Sequence, residues 1–218
     1  MTNQTLTNTV LSILRQPGIG QINFQLGALL VTGQKLAQVA QAIADGKIEC
    51  LTVKELKAGP TGLAKGMVIE ARYKEELNAM LFRDENYGTA AGEDRTIVHE
   101  AVHAMFDLTA PGLNFKTLSI DDESAAVLTE ALYIKLCGKP LGGFKMVVDG
   151  PQDEAWRLAG LMSLATDNFT TGGGTFMLTP DQTEDLRKAV AVDWNFVKKP
   201  DKVGSGYTDD STSQYVYN

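Results

Sequence analysis

The only two histidines of the 218-residue chain, His99 and His103, stand four positions apart, and Glu100 directly follows the first. Their surroundings carry a helical period: Ile97, Val98, Ala101, Val102, Met105 and Phe106 mark one apolar face, and Pro111-Gly112 ends the run. On a helix, residues four apart project from the same face one turn apart, so two imidazoles in this register offer their nitrogens to one ion. Glu100 is rotated off that line, which directs its carboxylate to a water at the ion instead of to the ion itself. The spacing therefore predicts a catalytic zinc ion (Zn2+) held by His99 and His103, with Glu100 as general base.

A hydrolytic zinc site uses three protein ligands and leaves one position open. No histidine remains, and Cys50 and Cys137 lie far apart without Cys-x-x-Cys spacing, so the third ligand is expected to be a carboxylate. Glu123 is the first choice, because it opens the next predicted helix after a short loop, and the small residues Ser124-Ala125-Ala126 would let two helices approach closely around an ion. Glu130 is the rival: seven residues further on, it lies on nearly the same helix face two turns down.

The rest of the chain reads as an α+β fold. Helical spacing marks 6–14, closed by Pro17-Gly18, and 34–44, closed by Gly46. Between 48 and 82 the period falls towards two, with Leu51 and Val53, then Met67 to Ala71, then Ala79, Leu81 and Phe82, which predicts a small antiparallel sheet. Further helices are expected over 121–137, 152–166 and 180–193. The first starts at a capping-box-like Ser119 and Asp122, and the last has Thr179 as N-cap, Pro180 as first residue and Gln182 as reciprocal partner. After Phe196 the sequence turns polar and glycine-bearing, so one domain over 1–196 is expected, with 197–218 a mobile tail or surface strap.

Ile97-Val98-His99-Glu100-Ala101-Val102-His103-Ala104, followed by Asp122-Glu123-Ser124-Ala125-Ala126, resembles the active-site region of gluzincin-type zinc metallopeptidases, and the strands just before it are similar to those of small bacterial and phage-associated members. The similarity covers about residues 67–137. The chain lacks the third histidine of metzincins, and Val127 stands where several gluzincin families carry Asp four residues after the glutamate. The resemblance implies a zincin-like fold, a small antiparallel sheet packed on a helical subdomain that carries the metal-binding helix. It also implies Glu123 as third ligand and hydrolysis of a peptide or protein substrate. An oxyanion-stabilising partner would come from Tyr133, Tyr87 or Arg95, and an extended substrate would pair with an edge strand around Ala79 to Phe82.

A net charge of -7 with scattered basic residues disfavours nucleic acid and anionic membrane surfaces as partners. No signal-like start or membrane-length apolar run is present, so the expected compartment is the cytoplasm. Gly172-Gly173-Gly174 lacks the Lys-Ser or Lys-Thr of a phosphate loop, Trp156 and Trp194 fit core anchors, and the helix dipole accounts for Asp121-Asp122. The competing function is a non-catalytic zinc-containing adaptor or inhibitor on the same scaffold. Glu100 speaks against it, because a structural site has no use for a general base.

Overall fold

The first helix, α1 (Gln4–Leu14), begins where the Asn3 side chain accepts the backbone N–H groups of Thr5 and Leu6, and it buries Leu6, Val10, Leu11 and Leu14. The computed structural model describes residues 3–53, 71–90, 92–109, 120–139, 158–160, 174–193, 196–198 and 215–217. After α1 comes a hairpin of β1 (Asn23–Leu26) and β2 (Leu29–Thr32), which turns on Gly27 at φ +56, a conformation that favours glycine. Thr32 then caps α2 (Gly33–Ala44) by accepting from Lys35 N–H. Gly46, at φ +70, closes that helix, with Lys47 N–H returning to the Ala42 carbonyl at 2.8 Å.

Strands β3 (Glu49–Thr52), β4 (Ala71–Lys74) and β5 (Ala79–Phe82) form a sheet in the order β3-β5-β4. Here the expected antiparallel sheet is corrected. The β4–β5 pair is antiparallel, joined through Asn78 at φ 48, but β3 runs parallel to β5. A period of two is common to both pairings, so side-chain alternation does not reveal strand direction. The expected edge strand is also corrected: β5 lies between its two neighbours, and all four of its residues are buried, as suits a central strand. The outer strands of this sheet are β3 and β4.

The motif helix α3 (Glu93–Thr109) packs antiparallel against α4 (Ile120–Leu136), bringing Asp94 to Tyr133 at one end and His103 to Asp122 at the other. Glu93 secures the start of α3 by accepting the N–H groups of Gly88 and Ala90, both at 2.9 Å, and an Arg83 N–H at 2.7 Å. Helix α4 is buried on every side from Ile120 to Ile134, because α3, β2 and a C-terminal helix all pack on it. Gly138, at φ 60, ends it, and Lys139 N–H returns to the Ile134 carbonyl. The C-terminal helix α5 (Pro180–Asp193) shows the expected reciprocal cap: Thr179 accepts from Gln182 N–H and Gln182 from Thr179 N–H.

Strand β6 (Phe176–Met177) adds to β1 in parallel, giving a second mixed sheet, β2-β1-β6. Within the polar C-terminal stretch, β7 (Phe196–Lys198) pairs antiparallel with β8 (Tyr215–Tyr217). One set of buried apolar side chains runs from Leu6 on α1 to Ala191 on α5. The architecture is α+β. The 152–166 helix apart from 158–160, both tryptophans, Gly172, Gly173, the strand residues 67–70 and the Ser119 cap lie outside the described residues. No helix among the described residues is long and apolar enough to cross a membrane. Both cysteines are free, Cys50 buried with its thiol pushed up to about 11 by desolvation, Cys137 half-buried.

Candidate metal centre

Helical register places His99 and His103 on one side of α3, with ring centroids 4.9 Å apart and each residue 8 % exposed. Both rings turn an Nε2 towards the same carboxylate on the facing helix. Glu123 Oε2 lies 3.2 Å from His99 Nε2, and Glu123 Oε1 lies 3.8 Å from His103 Nε2. Ser124, Ala125 and Ala126 are fully buried beside it, and such small side chains allow the close helix approach that these distances require.

Glu130 stands on the other side of His99, with Oε1 2.5 Å from Nδ1. The two nitrogens of an imidazole point in divergent directions, so one ring cannot present both to one ion. The structure thus brings His99, His103 and Glu123 together and assigns Glu130 to the outer edge of His99. Asp122 has the matching place at His103: its Oδ2 is 2.9 Å from Nδ1, a close contact although out of line for a full hydrogen bond. Each imidazole therefore lies between two carboxylates, the outer one at Nδ1 and the shared Glu123 at Nε2. A carboxylate at Nδ1 holds a proton there and leaves Nε2 as the inward nitrogen, the arrangement in which a neutral imidazole could serve as a ligand.

The dipole account of Asp121-Asp122 is corrected by burial: the two acids are 1 % and 4 % exposed, whereas acids favoured by a helix terminus alone remain in water. Asp122 serves His103, and Asp121 is gripped by Arg187 of α5. Four acids buried on one helix, at 121, 122, 123 and 130, would cost several kcal/mol each without partners, and each faces an imidazole or a guanidinium.

Glu100 reaches β4, where its Oε2 accepts the Tyr73 backbone N–H at 2.6 Å. Its carboxylate oxygen and the histidine nitrogens lie within 4.8 Å of one another. Burial raises the Glu100 pKa, opposed by His103, His99 and the Tyr73 amide. Burial works against charge on the imidazoles, but acids outweigh it. Glu123 and Glu130 hold His99 well above its ordinary value, and Asp122 with Glu123 brings His103 to about 9. Among the described residues His99, Glu100 and His103 form a group that could hold a metal ion, with Glu123 facing both Nε2 atoms, and imidazole and carboxylate donors are of a kind that suits zinc.

Two of the three expected oxyanion partners are engaged elsewhere. The Tyr133 hydroxyl donates to Asp94 at 2.9 Å, beyond Glu130 from the inward nitrogens, and Tyr87 packs on Phe82 with the Arg83 guanidinium over its ring. Arg95 stands one turn before His99 on the same helix face. Sequence reasoning missed the Tyr73 amide and Arg187. A backbone donor leaves no residue-type signal, and an arginine 64 positions beyond Glu123 has no spacing rule to tie it to the motif. The chain matches no family model, no curated protein and no solved structure.

Proposed function

We propose that the chain is a zinc-dependent peptidase with a zincin-like architecture, His99, His103 and Glu123 holding the ion and Glu100 acting as general base. The observation that carries this reading is the convergence of both Nε2 atoms on Glu123, with a second carboxylate, Glu100, close enough to both rings to share their cluster. A purely structural site would have no need of that extra carboxylate. Zinc, when bound, would supply Lewis acidity that polarises a carbonyl and makes water acidic near neutral pH.

The chain's own groups do the rest. Glu100 removes a proton from water as its oxygen bonds to the peptide carbonyl carbon, then delivers that proton to the nitrogen as the C–N bond breaks. Its raised pKa suits this exchange, since a carboxylate of ordinary acidity is a weak base at neutral pH. Glu130 and Asp122 hold the imidazoles at Nδ1. An extended substrate would pair with β4, an outer strand whose Tyr73 N–H already points at Glu100 and away from β5. Metal analysis of the purified protein tests the reading first: about one zinc per chain is expected. Stoichiometric zinc in a His99→Ala, His103→Ala double variant sinks it.

A further inference from the structure

Arg187 projects from the middle of α5 to the first turn of α4, where Nε and Nη2 take the two oxygens of Asp121, the latter at 2.9 Å. The side chains are 11 % and 2 % exposed. The guanidinium also lies against the β1–β2 turn: a Cβ built on Gly27 would stand 3.4 Å from Nη2. The same α5 is joined to that hairpin just upstream, where Leu178 N–H donates to the Gln25 carbonyl at 3.0 Å. Arg187 is thus the point at which the hairpin, the C-terminal helix and the start of α4 meet.

A buried ion pair contributes little net stability over apolar packing of equal volume, because desolvating two charges offsets their attraction. What a two-pronged arginine–carboxylate pair does supply is direction: two parallel N–H···O bonds fix both the distance and the orientation of the partner. Here the partner is two residues from Glu123 and next to Asp122, within one helical turn. Glu123 must keep its oxygens on two nitrogens at once, so a small rotation or slide of this turn would move it off one of them. Metal sites lose affinity steeply when the groups behind their ligands are removed.

We infer that Arg187 is a positioning residue for the metal centre, clamping the first turn of α4 so that Glu123 and Asp122 meet both histidines. This rests on the zinc reading above. It makes the C-terminal helix part of the site's construction although α5 supplies no ligand.

The test is zinc affinity, measured by competition with a chromogenic chelator, for wild type, Arg187→Gln and the double variant Arg187→Gln, Asp121→Asn. The double variant leaves no lone buried charge, so it protects the test against a single variant that fails to fold. Both variants are expected to bind zinc about ten to a hundred times more weakly than wild type. Lys188→Gln, an exposed neighbour on α5, is expected to bind as wild type does. Arg187→Lys, which keeps the charge and loses the two-pronged grip, is expected to recover only part of the affinity. A merely structural arginine would lower the melting temperature and leave the affinity of the folded protein untouched. Wild-type affinity in a folded double variant overturns the inference alone. Absence of zinc from wild type overturns the metal reading and this inference together.

Discussion

At the scale of single residues, Glu123 and Glu130 both touch His99, yet their roles divide by which nitrogen they face. Glu123→Ala is expected to abolish stoichiometric zinc, because it removes the carboxylate that faces Nε2 of both rings. Glu130→Ala is expected to weaken binding about ten- to a hundredfold, since it frees the Nδ1 proton without removing a ligand. Chelator competition on the two variants distinguishes them, and the reverse ranking would exchange the assignments. Glu100→Gln keeps the shape and loses the base, so zinc content and melting temperature are expected to stay near wild type. Any peptidase activity found with a peptide library is expected to fall at least about a hundredfold. An active Glu100→Gln variant would show that another group moves the proton. A wild type that retains zinc but cleaves nothing would favour the adaptor reading.

At the scale of elements, the helices were legible because each carries a period and a boundary signal: Pro17-Gly18 after α1, Gly46 after α2, Pro111-Gly112 after α3, and Thr179 with Gln182 at the start of α5. The β1–β2 hairpin was not anticipated. Its strands have four residues each, too short for alternation to stand out, and its turn rests on Gly27 alone. Strand order was hidden for a different reason, since β3 finds its parallel partner β5 across 26 intervening residues, Val53 to Asn78. For the proposed peptidase, the outer strand open to an extended substrate is then β4 and not β5. There the Tyr73 amide is expected to exchange slowly with deuterium while Glu100 accepts its hydrogen bond. In Glu100→Ala it is expected to exchange much faster, with Met80 and Leu81 amides on central β5 unchanged. Equal protection of Tyr73 in both proteins would mean that something other than Glu100 covers that edge. Within the site, the two histidines and Glu100 could be placed from spacing alone. Asp122 could not, because burial separates a partner of an imidazole from an ordinary acid in a helix's first turn, and burial depends on α5 and the hairpin.

At the scale of the whole molecule, the buried apolar set from α1 to α5 does not depend on an ion, so the chelated protein is expected to remain folded. Zinc at about a thousand times its Kd would add roughly 4 kcal/mol, which for a chain of this size raises the melting temperature by roughly 8 to 16 °C. A scan with and without chelator checks this, and an unchanged midpoint would contradict it. The metal-free protein has its own pH dependence. The His103 pKa, at about 9 in the folded state, is raised above the roughly 6.5 of an unfolded chain, and His99 is raised in the same direction. Stability from these groups is therefore fully present below about pH 6.5 and is lost as pH rises through about 9. Chemical denaturation of chelated protein between these limits is expected to show a declining midpoint, and an increase would reverse the sign.

The pairing of each imidazole with carboxylates at both nitrogens has a consequence for how an ion would enter. The acids beside each ring favour its protonated form in the metal-free protein. Zinc binds the neutral imidazole, so occupation would displace protons from the pocket. Calorimetry in two buffers of different ionisation enthalpy would show protons released as zinc binds near pH 7, and the affinity would climb with pH. If the centre holds zinc as proposed, protons and metal compete for the same nitrogens, and acidification would discharge the metal from it.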